Sequence, residues 1–317
     1  MSAAAPNSSE TPAPAGRGFG HGKVILVGEH AVVHGHPALA AGLSVGIAVE
    51  ARPGEGRLHV PAWGLAAGRH DDSPVGRALA VIVRRLEAPG LDFLAEARIP
   101  SRAGLGSSAA LAVALARAAA QASGRGDATE ETIATAVAEA EAIFHGSPSG
   151  IDAAAARTGA AGRFTRAGGW KPVRVLQAIT LCVGLSGRPR DTAAQVSAVG
   201  RLRARLPAAD GILALMGSLA DDATSALGTG DVDGLGRIFD AAHGLLSALR
   251  LSSPELEVLV HTARGAGAIG AKLTGAGGGG AVIALAPSHE RDVLTRWRAA
   301  GYDGFLAEIA AAPGAAP

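Results

Sequence analysis

The order of secondary-structure signals along the 317 residues constrains the fold more than any single motif. Before Pro189, short apolar runs alternate with turn residues and helical patterns. "KVILVG" (23–28), "LSVGIAVEA" (43–51), "GRLHVPAW" (56–63) and "LDFLAEARI" (91–99) predict strands, followed by "AGRFTR" (161–166), "PVRVL" (172–176) and "ITLCVGL" (179–185). Helices are predicted over 75–87, from Ser107, and over 129–145, the last capped by Asp127 with Glu130 three residues on. After Pro189 helical periodicity dominates 192–266, broken at Pro207, at "GTGD" (228–231) and at "SSP" (252–254). The chain then reads strand, glycine turn, strand, helix, strand, from "GAKLT" through "GAGGGG" and "AVIALAP" to "GFLAEIA". Strands and helices mixed in two groups predict an α+β protein of two lobes, with domains over 17–188 and 189–317 and a disordered Ala/Pro/Ser tail over 1–16.

Composition narrows the function. A net charge of +1 and 3% aromatic residues argue against a nucleic-acid partner, which needs a basic surface and stacking rings. No apolar run reaches the roughly 18–20 residues of a membrane span, and residues 1–16 lack the basic and apolar regions of a secretory signal. The single cysteine, Cys182, cannot form an internal disulfide. These features predict a cytoplasmic protein with small-molecule partners, no nucleic acid and no membrane, and they are compatible with a homodimer.

"PSRAGLGSSAALAVALARAA" (100–119) runs a glycine turn into a helix. A helix start offers unpaired N–H groups and the positive end of the macrodipole, so this geometry suits an anion, with a plain cap as the alternative. Gly265, Gly267 and Gly270, and again Gly275, Gly277 and Gly280, match the dinucleotide spacing. The first set follows a helix and the second runs into a strand, so neither has the strand–glycine–helix context that holds a pyrophosphate. Walker A and protein-kinase signatures are absent. The six small residues of "GAGGGG" cost backbone entropy on ordering, which close approach to another loop or a ligand explains better than a simple turn.

Three acidic positions stand out. Ile133, Val137, Ala140 and Phe144 form one apolar stripe, with Glu141 at its edge and Glu139 turned to solvent. A half-buried Glu141 needs a cation, either a metal or an arginine. In "HGSPSGID" (145–152), Pro148 and Gly150 enforce a turn that delivers Asp152 to the next element, as a helix cap or as a base aimed into a cleft. Lys23 opens a strand whose end carries Glu29 and His30. Glu29, His30, His34 and His36 do not fit the helical His-Glu-x-x-His zinc pattern.

Taken together, "GKVILVGEHAVVHGHPALA" (22–40), "PSRAGLGSSAAL" (100–111) and "KLTGAGGGGAVIAL" (272–285) resemble, in order and spacing, the three motifs of the GHMP small-molecule kinases, over about residues 17–310. Within that family "GEHAVVHG" followed by "HGSPSGIDAAAA" is most similar to the branch that phosphorylates mevalonate on its 5-hydroxyl. The resemblance implies an N-terminal domain like ribosomal protein S5 domain 2, a ferredoxin-like C-terminal domain, and ATP and mevalonate as substrates. It implies that Gly104, Leu105, Gly106, Ser107 and Ser108 wrap the triphosphate of ATP, and that Ser108 and Glu141 hold Mg²⁺. Asp152 and Lys23 are then the catalytic pair, with Glu29, His30 and Thr192 lining the acceptor region beside them. Gly275, Gly277 and Gly278 back the nucleotide loop. Two departures, "GHGK" with His21 before the lysine and Ala153 where the family has asparagine, remove no catalytic group. Another acceptor, such as phosphomevalonate or homoserine, and a non-catalytic metabolite-binding relative are the alternatives.

Overall fold

A computed structural model of the chain describes residues 15–124, 130–146 and 149–312. The Asp127 cap, Pro148 and residues 1–14 of the tail lie outside them. The first sheet is built from β1 (Gly16–Val27), β2 (Ala38–Pro53), β3 (Arg57–Val60), β4 (Leu65–Gly68), β5 (Leu91–Ala97), β6 (Ala161–Thr165) and β7 (Gly169–Pro172). Its order is β4-β3-β5-β2-β6-β7, with β1 also paired to the long β2. Its helices are α1 (Pro74–Arg85), α2 (Ser107–Ala122), α3 (Glu130–His145) and α4 (Ile151–Thr158).

The second sheet joins β8 (Ile179–Leu185), β9 (Gly270–Thr274), β10 (Ala281–Leu285) and β11 (Gly304–Ile309) in the antiparallel order β11-β8-β10-β9. Between β8 and β9 run α5 (Thr192–Arg205), α6 (Ala208–Thr229), α7 (Val232–Ala248) and α8 (Pro254–Gly265), and α9 (Glu290–Ala299) precedes β11. The helix breaks fall where the sequence punctuates them: side chains of Asp191, Asp231 and Ser253 accept the first-turn N–H groups of α5, α7 and α8. The α+β architecture is therefore as expected. No helix among the described residues is long and apolar enough to cross a membrane.

One expectation fails instructively. Lys23 does not open a strand; β1 begins at Gly16, so that residue is ladder rather than tail. "GRGFGHG" has little strand propensity because every second residue is glycine. Those glycines serve packing. A Cβ on Gly16, Gly18 or Gly20 would strike the carbonyl oxygens of Ala118, Ala114 and Ala110, which succeed one another up one face of α2. Without side chains between them, α2 lies directly on β1, and its N-terminus comes to rest beside Lys23. Two smaller differences have local causes. "GRLHVPAW" stops as a strand at Val60, where Pro61 starts a short 3-10 turn. "PVRVL" supplies buried Val173 and Val175 to the core but only one bridge, Val175 to Ala312, while the ladder ends at Pro172.

One core cluster spans both sheets, joining Val24, Leu26, Leu39 and Leu43 to Leu181, Val183, Leu273 and Ile283. A second fills the space between the first sheet and its helices, with Ile47, Val49 and Phe93 against Leu79, Leu111 and Leu115. The C-terminal half of β1 thus lies at the junction, where the charged residues of the first motif meet both sheets.

Candidate active site

Lys23 is aimed by an irregularity in its strand. The β1–β2 ladder shifts register between His21 and Lys23, a device that re-aims a side chain. The Lys23 N–H donates to the Leu105 carbonyl at 2.8 Å, tying the strand to the glycine turn. Gly104 and Gly106 take φ of +85° and +70°, and a Cβ on Gly106 would come within 3.2 Å of that of Lys23. Gly106 is also the N-cap of α2 and supplies no capping side chain, so Ser107 and Ser108 begin a helix whose first-turn N–H groups face outward unclaimed by a cap.

Asp152 lies in the first turn of α4 but does not cap it; Gly150 does, at φ +88°. Its Oδ1 is 2.8 Å from Lys23 Nζ, with the lysine side chain 2% exposed and the aspartate 30%. Burial alone would raise the Asp152 carboxyl, but the Lys23 ammonium, by charge and hydrogen bond, with Arg190 behind it, draws it below the ordinary value. On α3, Glu139 pairs with Arg85 at the surface while Glu141 turns inward, as the stripe predicts. Glu141 has no arginine partner among the described residues. Its Oε1 is buried with no hydrogen-bond partner among the described residues. Burial first, then the charge of Asp152, pushes its carboxyl up to about 7, and the nearby Ser108 hydroxyl works to hold it down. Such a carboxylate asks for a cation.

A second group closes the seam between the sheets. Lys272 and Glu29, both fully buried, form an ion pair. Lys272 Nζ also donates to the carbonyls of Leu273 (2.6 Å) and Ile25 (3.5 Å), and Glu29 Oε1 accepts from the Gly275 N–H at 3.4 Å. Glu29 Oε2 is left buried without a partner among the described residues. Next to it, His30 has φ +61° and ψ −41°, and Ala31 N–H bonds the Glu29 carbonyl at 2.7 Å across it. This is a γ-turn of the strained, positive-φ kind. His30 Nε2 lies 2.9 Å from the Ala276 carbonyl, which can only accept, so that nitrogen carries the proton. Burial lowers the His30 pKa, and the bond to Ala276 opposes it.

Of the other sequence-predicted residues, Gly275, Gly277 and Gly278 all have positive φ in the turn after β9. That turn meets the α2 loop: a Cβ on Gly280 would lie 2.9 Å from the Ala103 carbonyl. Thr192 opens α5 in an exposed position and makes no hydrogen bond to this group among the described residues. His34 turns away to Arg203, 2.8 Å from Nδ1. His21 bonds the Leu43 carbonyl at 2.8 Å and packs edge-on against Phe19. A cleft of about 670 Å³ on β2, β3, β4 and β5, lined among others by Arg52, His59 and Leu94, shares no residue with this group.

Arg190 is the residue that motif reading missed. Its guanidinium fills the space over Gly104 and Gly275: a Cβ on Gly104 would sit 2.6 Å from Cζ, and one on Gly275 would collide with Nη1. It is attracted to Asp152 and Glu29 but forms no ion pair among the described residues, and burial lowers its pKa against their pull. The only signal in "GRPRD" (187–191) was an arginine just before the helical region, where it reads as solvated.

The geometry has counterparts. The family model for the GHMP kinases N terminal domain matches residues 73–160, and that for the GHMP kinases C terminal matches residues 223–303. The chain is 39% identical to the mevalonate kinase of Aeropyrum pernix, with 86% of this chain and 88% of that one covered. Identity to the mevalonate kinase of Thermococcus gammatolerans is 35%, with 90% and 94% covered. Among solved structures, L. major mevalonate kinase in complex with R-mevalonate matches with a TM-score of 0.79 and 28% identity, over 94% of this chain and 97% of that one.

Proposed function

The chain belongs to the GHMP kinases, and from that premise we propose that it transfers the γ-phosphoryl group of ATP to the 5-hydroxyl of mevalonate. The choice of acceptor rests on relatives named mevalonate kinase at 32–39% identity over most of the chain. The chemistry rests on one observation: a buried Lys23–Asp152 pair, open on the aspartate side, at the uncapped N-terminus of α2.

In this reading the N–H groups from Gly104 to Ser108 cradle the triphosphate, which the helix dipole favours. Asp152 orients the acceptor hydroxyl and takes its proton as the oxygen–phosphorus bond forms and the bond to the ADP oxygen breaks. The Lys23 ammonium keeps Asp152 ionised and faces the charge that redistributes during transfer. Arg190 brings a second cation to the same point. Glu29, buried in its pair with Lys272, backs the acceptor side that His30 lines with Thr192, and Gly275, Gly277 and Gly278 hold the nucleotide loop from behind.

Ser108 and Glu141 fit Mg²⁺, a hard cation that seeks oxygen, because a hydroxyl and a buried carboxylate with one unpartnered oxygen meet there. Among the described residues no cluster of three or more His, Cys, Asp or Glu side chains could hold a metal unaided, so phosphate oxygens would complete the shell. Bound there, Mg²⁺ would neutralise charge on the phosphates. The same reading has a cytoplasmic enzyme that forms a homodimer, each chain divided into domains over 17–188 and 189–317, with β8 of the first serving the second sheet.

The test is ADP release with mevalonate, phosphomevalonate and homoserine as acceptors, together with identification of the phosphorylated product. Turnover with mevalonate far above the other two supports the proposal. Turnover confined to another acceptor reassigns the substrate, and none with any of them favours a metabolite-binding relative.

A further inference from the structure

We propose that His145 is a nitrogen donor to the divalent cation at Ser108 and Glu141, and that it opens this site to transition metals as well as Mg²⁺. The proposal rests on reading Ser108 and Glu141 as the metal position. His145 stands one helical turn beyond Glu141 on α3, at the i,i+4 spacing that puts both on one face. Its Nε2 is 3.3 Å from Ser108 Oγ and 4.0 Å from Glu141 Oε2. Ligands about 2.1 Å from an octahedral cation lie about 3 Å apart when adjacent and about 4.2 Å apart when opposite. The two observed separations lie between those limits, close enough for His145 to share a cation with Ser108 and with Glu141.

A second, independent observation points to a ligand. Glu141 is 2% exposed, yet its Oε1 has no hydrogen-bond partner among the described residues. The His145 side chain, by contrast, is half exposed at the mouth of the site, so its ring is free to turn toward a cation or away from it. Mg²⁺ takes oxygen and leaves an imidazole aside, whereas metals further along the first row bind imidazole well. Removing the ring should therefore weaken transition-metal binding and leave Mg²⁺ almost untouched.

The experiment uses the full chain with a non-hydrolysable ATP analogue. Pulsed electron paramagnetic resonance of bound Mn²⁺ should show ¹⁴N coupling from an imidazole, absent in His145→Ala. Calorimetric titration should show Co²⁺ affinity falling ~10-fold or more in that variant, with Mg²⁺ affinity changed less than about two-fold. No nitrogen coupling in the wild type, or equal losses for Co²⁺ and Mg²⁺, overturns the proposal. Glu141→Gln separates this from failure of the underlying reading. If it weakens Mn²⁺ binding while nitrogen coupling is absent from the wild type, only the role of His145 falls. If it leaves Mn²⁺ binding unchanged, the metal position itself is wrong, and the proposal with it.

Discussion

Lys23 and Lys272 are sunk equally deep, 1% and 0% exposed, and each meets a carboxylate from a distant part of the chain. Their surroundings differ chiefly in access to that carboxylate. The partner of Lys23, Asp152, keeps 30% of its side chain open, while the partner of Lys272, Glu29, keeps 1%. Lys272 is further satisfied by two backbone carbonyls, and burial still lowers its pKa against the pull of Glu29. A buried ion pair is weak evidence for stability in itself, but removing one partner leaves an uncompensated charge. The Lys272 pair therefore behaves as a rivet between β9 and the first motif. The Lys23 pair, reachable from solvent through the Asp152 carboxylate, is free to change partners during a reaction. Burial alone does not separate a structural ion pair from a working one; access to the carboxylate does.

Breaking each pair should expose that difference. Asp152→Asn is expected to lower kcat by ~10²–10⁴-fold, the usual worth of general-base help, while α4 keeps its cap at Gly150, so that any fall in melting temperature comes from the Lys23 ammonium left without its counter-charge. A stable variant with near-normal kcat would remove Asp152 from the chemistry. Lys272→Met should cost roughly 3–5 kcal/mol of stability in urea unfolding, since the Glu29 charge is left buried and unpaired. Adding Glu29→Gln should restore much of that loss, and no recovery would mean that the lysine acts by packing alone. Ser108→Ala and Glu141→Gln should each raise the Mg²⁺ concentration needed for half-maximal rate, by ~10-fold, in a magnesium titration. An unchanged requirement in both would take them out of the metal position.

The smallest effect concerns pH and the sealed seam. His243 Nδ1 accepts the Leu273 N–H at 3.4 Å, beside Lys272, and burial holds its pKa below the ordinary 6.5 against the pull of Glu257. The unfolded chain takes up that proton first as pH falls. The stability linked to the neutral ring is thus full above pH 6.5 and declines below it, until the folded ring also protonates. His243→Gln should flatten the fall in melting temperature between about pH 7 and pH 5. An unaltered slope would show that the ring titrates normally.

Much of this site was legible because its residues lie in short motifs with local rules. The glycine turn before Ser107, the inward Glu141 on an apolar stripe and the turn delivering Asp152 can each be read within a dozen residues. What was illegible depends on distant partners. The glycine ladder of β1 makes sense only once α2 is laid against it. Arg190 gains its place from Gly104 and Gly275, which lie far from it on either side in sequence. Lys272 looks like any strand lysine until Glu29 arrives from the other end of the chain. Reading Lys23 as the start of a strand failed for the same reason, since the preceding glycines carry no propensity signal.

The central claim, that one buried pair works and the other holds, is tested most directly by measuring kcat and unfolding free energy for Lys23→Met and Lys272→Met side by side. The expected result is a crossing. Lys23→Met should lose turnover more than mevalonate affinity and keep its stability, with Arg190 still facing Asp152. Lys272→Met should lose stability first, and at temperatures where it remains folded should keep most of its turnover. An unchanged kcat in Lys23→Met with only a raised KM, or a stable Lys272→Met that has lost its turnover, would contradict the account.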